Sequence, residues 1–252
     1  MTKVYYIQHS TFLIEYDDRY LLFDYFNKDV LADRVEFHGG MPILDDNKHL
    51  YVFASHGHKD HFDLEVLRWT KERNNITYIL SKHIRLGANY LKRNDIESSV
   101  KDKIKFVTPL NTYQVDDMEI QTLRSNDEGV AFVVKVCGQI IYHAGDLHWW
   151  NWSDRGELYC EAIGLEYKRQ LRALSNMHID FGFVVLDPRM NDGYYLGLDY
   201  FVKNIDCDLI FPMHLWGEYK LIDDFKRRPD LGRLADKIIK MDRENMVFEI
   251  ED

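Results

Sequence analysis

The chain has 252 residues, of which 46% are hydrophobic and 29% charged, with a formal net charge of −10. That length suffices for one large domain with a substantial core, and the composition excludes a disordered or low-complexity chain. The acidic balance argues against a broad phosphate-binding face, because nucleic-acid binders carry a basic one.

The amino-terminal stretch MTKVYYIQHS lacks a basic segment followed by an apolar one, so no secretory signal is expected. No apolar run approaches the roughly 18 residues of a membrane span. Cys137, Cys160 and Cys207 are odd in number, widely spaced and without a Cys-x-x-Cys pair. They read as reduced, mostly buried thiols of a cytoplasmic protein.

In chain order, Val4–Ile7, Phe12–Tyr16 and Tyr20–Phe23 are short β-rich runs separated by turn residues such as Asp17 and Asp18. Leu50–Ala54 is a continuous apolar run ending at Ser55, the pattern of a strand buried on both faces. A helix over Leu64–Arg73, a strand at Thr77–Leu80 and a helix over Lys82–Arg93 follow. A second β-rich block covers Lys105–Val107, Met118–Leu123, Val130–Val136 and Gln139–Tyr142, with a tight turn predicted at Cys137-Gly138.

Glu157–Asn176 reads as a helix with apolar positions at Leu158, Ile163, Leu165, Leu171 and Leu174. Strands at Phe183–Leu186 and Leu209–Pro212 bracket a helix near Leu198–Asn204. The last segment runs helix then strand, ending near Val247–Ile250. The order β-block, strand–helix units, β-block, strand–helix units suggests two similar halves. With no Ser/Gly/Pro linker between them, residues 1–252 read as a single α/β domain.

Chemistry concentrates at the end of the Leu50–Ala54 run. His56-Gly-His58-Lys-Asp60-His61 packs three imidazoles and one carboxylate into six residues. Imidazole nitrogen and carboxylate oxygen suit zinc, manganese or iron, and Gly57 lets the backbone turn so that neighbouring side chains converge. Positions 56 and 58 are placed to face one ion, 60 and 61 another.

This cluster resembles the signature of the metallo-β-lactamase superfamily, His-x-His-x-Asp-His after a buried strand. Further landmarks arrive in the order the resemblance requires. Asp24 in Leu-Leu-Phe-Asp matches the carboxylate that supports the metal loop. Asp146 in His143-Ala-Gly-Asp146 matches the carboxylate that bridges two metals, and His214 in Phe-Pro-Met-His matches the last ligand. The resemblance implies a four-layer αββα sandwich, with His56, His58, Asp60, His61, Asp146 and His214 holding one or two divalent ions, zinc foremost and manganese or iron as alternatives.

It also implies a histidine where this chain has Asn126, in Ser125-Asn126-Asp127-Glu128-Gly129. Either the first ion keeps only His56, His58 and Asp146 with water, or Asp127 substitutes. His9-Ser10 resembles the opening of the ascorbate-phosphate lactonase branch, with His9 either supporting the metal pocket or bonded to backbone at a strand end.

A divalent ion lowers the pKa of bound water from about 16 to about 7 and polarises an ester or phosphoester oxygen, so no serine or cysteine nucleophile is required. Asp60 doubles as proton acceptor in this reading, with His9 beside it. Trp149, Trp150 and Trp152 either wall a substrate pocket or pack into the core, and Trp216 joins them at the rim. Arg189, after a strand end, either grips an anionic substrate group or pairs with a buried carboxylate to fix its loop. His143 and His148 read as supporting or surface residues rather than ligands.

The function expected is hydrolysis of a small-molecule ester, lactone or phosphoester, without a membrane partner and with self-association left open. The competing readings are an RNA or DNA nuclease, disfavoured by the charge; a di-iron redox protein, for which the chain lacks room for a flavin domain; and an inactive metal-binding scaffold.

Overall fold

The computed structural model describes residues 1–31 and 33–251 of the chain, which divides into two compact units. The first comprises Met1–Thr108 with Arg243–Asp252. Its strands are β1 (Thr2–Gln8), β2 (Thr11–Glu15), β3 (Arg19–Phe23), β4 (His49–Ala54), β5 (Ile76–Ser81), β6 (Ile104–Val107) and β13 (Met246–Ile250). They form one sheet in the order β13-β1-β2-β3-β4-β5-β6. From β13 to β3 neighbours are antiparallel; from β3 to β6 they are parallel.

Sequence pattern follows position in this sheet. β4 lies between two parallel neighbours, and its residues after His49 are all buried, which is why it reads as an unbroken apolar run. Edge strand β13 alternates instead, with Val247 and Glu249 exposed between the partly buried Met246, Phe248 and Ile250. Under the sheet, Leu22, Leu50, Val52, Tyr78 and Leu80 pack with Val66, Leu67 and Leu91 from the helical connections.

The second unit, Pro109–Asp242, repeats the plan. Its strands are β7 (Thr112–Val115), β8 (Met118–Arg124), β9 (Val130–Val136), β10 (Gln139–His143), β11 (Ile179–Val185) and β12 (Cys207–Met213), ordered β12-β11-β10-β9-β8-β7. The β7–β10 meander is antiparallel and β10, β11 and β12 are parallel. Cys137 (φ 51°) and Gly138 (φ 78°) both take left-handed backbone in the β9–β10 hairpin, as a two-residue turn of the predicted kind demands.

The helices depart from expectation most. The run read as Leu64–Arg73 is a single α-turn, α1 (Glu65–Arg68), followed by a 3-10 turn at Trp69–Lys71. The run from Lys82 is helical only as α2 (Ala88–Arg93), after Gly87 in extended backbone. α3 (Glu157–Leu171) is long, but it buries Gly164, Tyr167, Gln170 and Leu171 and leaves Leu158 and Leu165 exposed, at 83% and 67%. Of the apolar positions at helical spacing, Leu171 and Leu174 are therefore buried and Ile163 half-buried, while Leu158 and Leu165 face solvent. Gly164 sits so close to Trp149 that a Cβ there would lie 2.4 Å from the indole, so this small residue joins the leucines on the packing face.

Completing the unit are α4 (Leu196–Asn204) and α5 (Lys220–Lys226). Of the three cysteines only Cys207 is buried; Cys137 is exposed on its turn and Cys160 is half-buried. Among the described residues no helix is long and apolar enough to cross a membrane.

Candidate metal centre

In the first unit the chemistry lies at the carboxyl ends of the parallel strands, where α/β sheets place their sites. β3 ends on Asp24 and β4 runs into Ser55-His56. Asp24 is fully buried, and its oxygens accept from Ser55 N, Ser55 Oγ and His61 Nδ1, each at 2.7 Å. Its own carbonyl accepts from Thr11 Oγ1 at 2.7 Å. A carboxylate with that many donors is satisfied without a cation, and by taking His61 Nδ1 it turns the ring so that Nε2 is its candidate ligand atom.

Ser55 extends the support. Its Oγ lies 2.9 Å from His56 Nδ1, so Asp24 reaches His56 through one hydroxyl. His56 Nε2 then stands 3.0 Å from His58 Nδ1. Two imidazole nitrogens on one tetrahedral zinc would be about 3.3 Å apart, given Zn–N of about 2.0–2.1 Å, so this pair fits a shared ion. His9, Asp60 and His61 offer a second group, with ligand atoms within 4.8 Å of one another. His9 is buried and sits 3.6 Å from Asp60 Oδ2 through Nε2. His9 (φ 48°) and Asp24 (φ 46°) hold left-handed backbone that costs a non-glycine residue energy, a strain typical of functional loops.

In the second unit three parallel strands again deliver the polar residues. β10 leads to Asp146, β11 to Asp187 and β12 to His214. His214 Nε2 lies 3.5 Å from Asp146 Oδ1, and its Nδ1 lies 2.8 Å from Asp187 Oδ2. Asp127 and Asp146 carry ligand oxygens within 4.8 Å of each other, Asp127 exposed and Asp146 buried. Burial alone would raise the Asp187 carboxyl, but the hydrogen bond and charge of His214, then those of Arg189, outweigh it and hold the group well below the usual carboxylate range.

Asn126 has a different task from the histidine whose place it takes. Its Nδ2 donates to the His148 carbonyl at 2.7 Å and its Oδ1 accepts from His148 N at 3.1 Å. Both ends of the amide are thus spent on the backbone beyond Asp146. His148 itself is fully buried, not a surface residue, and among the described residues neither ring nitrogen has a hydrogen-bond partner. Burial pushes its pKa down to about 3, so the ring is neutral. It is wedged beside Gly197, where a Cβ would fall 2.4 Å from the ring.

The tryptophans divide. Trp149 packs on α3, its Nε1 donating to the Cys160 carbonyl at 3.3 Å with Lys168 Nζ 4.0 Å above its ring. Trp150, Trp152 and Trp216 instead surround the Arg189 guanidinium at 6.0, 5.6 and 4.8 Å. Of the four residues expected at a pocket wall, Trp150, Trp216 and Arg189 therefore group beside His214, and Trp149 does not. Asp187 and Ser55 are the supports that sequence reasoning missed as partners of His214 and His56. Their only signal was that each follows a parallel strand.

With this geometry in view, the chain was compared with known proteins. A family model described as Beta-lactamase superfamily domain matches residues 3–154. No curated protein matches in sequence. Igni18, a metallo hydrolase from the hyperthermophilic archaeon Ignicoccus hospitalis, aligns over 100% of both chains at 17% identity and a TM-score of 0.57. YhfI from Bacillus subtilis, a metallo-beta-lactamase fold protein, aligns over 98% of both at 14% identity and a TM-score of 0.61. CmlA, a diiron beta-hydroxylase from Streptomyces venezuelae, is similar over 99% of this chain but 54% of its own, at 12% identity and a TM-score of 0.59. The two large mixed sheets agree with the fold these proteins share.

Proposed function

The chain belongs to the beta-lactamase superfamily domain family, and from that premise we propose that it is a metal-dependent hydrolase of a small-molecule ester, lactone or phosphoester. The proposed ligands of one or two divalent ions, zinc foremost, are His56, His58, Asp60, His61, Asp146 and His214. The observation that carries this reading is the His56–His58 nitrogen pair at 3.0 Å, backed by Ser55 and Asp24.

When bound, such ions supply Lewis acidity that lowers the pKa of water and polarises the scissile oxygen. The remaining work belongs to side chains. Asp60 accepts the proton of the attacking water, and His9 Nε2 stands 3.6 Å from that carboxylate. Asp24 fixes the His61 ring and, through Ser55, the His56 ring. Asn126 fixes the segment beyond Asp146 and is not a ligand; Asp127, whose oxygen lies within 4.8 Å of one on Asp146, fills that role.

A lactone is proposed first among the substrates, on the resemblance of His9-Ser10 to the ascorbate-phosphate lactonase branch, and the reduced cysteines suit a cytoplasmic location. The same donors can hold iron, and the likeness to a diiron hydroxylase makes an iron-dependent oxidation the second reading. A panel of lactone, ester, phosphodiester and β-lactam substrates, with and without chelator, tests the proposal. Chelator-sensitive turnover that His58→Ala abolishes is expected. Turnover that survives His58→Ala contradicts it, and iron with substrate-dependent oxygen uptake selects the second reading.

A further inference from the structure

Asp187 and Arg189 follow β11, and neither belongs to the ligand set proposed above. A carboxylate beside a metal ligand can bind the ion, take the proton of the reaction or brace its neighbour. Both oxygens of Asp187 are already engaged. Oδ1 accepts from Arg189 N at 2.8 Å and from Arg189 Nε at 3.0 Å. Oδ2 accepts from Arg189 Nη2 at 2.5 Å and lies 2.8 Å from His214 Nδ1. The group is fully buried. The first two roles would break these bonds inside the protein, so bracing is the role left.

Arg189 is bound in the same way. Its Nε and Nη2 edge, the one suited to a bidentate grip on an anionic substrate, lies on Asp187. Its guanidinium sits within the collar of Trp150, Trp152 and Trp216, with the Trp150 and Trp152 rings parallel and their centroids 5.8 Å apart. Trp150 and Trp216 also meet the His214 ring edge-on, at 5.8 and 5.6 Å. The collar borders a three-member relay from guanidinium to carboxylate to imidazole.

We infer that Asp187 and Arg189 are positioning residues for His214, fixing its Nδ1–H tautomer and aiming Nε2 past Asp146 at an ion, and that Arg189 is not a grip for substrate. Asp187 supplies the acceptor. Arg189 supplies the counter-charge that keeps this buried carboxylate ionised while it holds the ring. The tryptophans keep the arrangement rigid. This rests on the metal reading given above, and the experiment separates the two.

The full chain is compared with Asp187→Asn and Arg189→Met, both close in volume to the native side chains. Long-range 15N–1H NMR of the metal-free protein, with the His214 signal assigned by its loss in His214→Gln, reads the tautomer. Competition with a chromogenic chelator reads zinc affinity. The wild type is expected to show a single Nδ1–H tautomer at His214. Asp187→Asn is expected to give a mixture and to bind one zinc about 10–100-fold more weakly, with near-ultraviolet circular dichroism unchanged. Arg189→Met weakens zinc less and leaves KM unchanged at saturating metal.

Native zinc affinity and an unchanged tautomer in Asp187→Asn would overturn the inference while leaving the hydrolase reading standing. So would an Arg189→Met variant with native metal affinity and a KM raised tenfold or more. A wild type that binds no zinc would overturn both. Should Asp187→Asn fail to fold, Arg189→Met carries both readouts alone.

Discussion

Each unit places a fully buried aspartate after a parallel strand and uses it to hold the Nδ1 of a histidine, Asp24 on His61 at 2.7 Å and Asp187 on His214 at 2.8 Å. The two carboxylates are satisfied differently. Asp24 takes its other hydrogen bonds from the Ser55 backbone and hydroxyl, neutral donors on the adjacent strand end. Asp187 takes them from Arg189 two residues away, one from its backbone N–H and the rest from its guanidinium, a side chain 44% exposed and collared by indoles. A tight ligand loop with hydroxyl and amide donors in reach needs no buried cation. His214, standing 27 residues from its carboxylate on a separate strand, is served by a carboxylate that has one amide donor and a charge pair.

That difference predicts an order of effects. Asp24→Ala strips the acceptor from three donors in a dry site and is expected to cost about 3–5 kcal/mol in urea unfolding. Asp187→Ala leaves a cation that still reaches water through its exposed edge, and its cost is expected near 1–3 kcal/mol. Equal costs would mean that the charge pair and the neutral cage are equivalent supports.

The second unit also leans on glycine. Gly197→Ala would drive a Cβ to within 2.4 Å of the buried His148 ring, with an expected loss of about 1–3 kcal/mol. A thermal melt unchanged from wild type would show that this ring is free to move.

The smallest effect near neutrality comes from the same histidine. Its pKa is lowered by burial from 6.5 to about 3. Below pH 6.5 the unfolded chain takes up a proton that the folded one refuses, so the stability of metal-free protein falls with pH from there toward 3. His148→Leu lacks this term, and its stability relative to wild type should rise steadily as pH drops. Parallel pH curves for the two proteins would remove the argument.

Legibility in the sequence followed the range of the interactions that decide each feature. β4 and the His56–His61 loop were plain because a strand buried on both faces and a contiguous ligand cluster are local patterns. So was the Cys137-Gly138 turn, set by backbone sterics. β7 was missed because its exposed and half-buried residues on a sheet edge carry no apolar signal. The contact face of α3 was only partly legible: Leu171 and Leu174 are buried, but the Gly164 contact is made by a distant indole that leucine spacing does not show. Asp24, Asp146 and His214 were found by resemblance rather than by pattern. The Asp187–His214 brace and the Asn126 clamp join residues 27 and 22 positions apart, which no local pattern reveals.

The central proposal is that His56 and His214 are both ligands of a divalent ion. Metal analysis of purified protein by mass spectrometry, on wild type, His56→Ala and His214→Ala, addresses it most directly. One to two equivalents of zinc, manganese or iron in the wild type, falling in both variants, is the predicted result. A wild type that carries no transition metal, or variants that retain the full complement, would contradict the account.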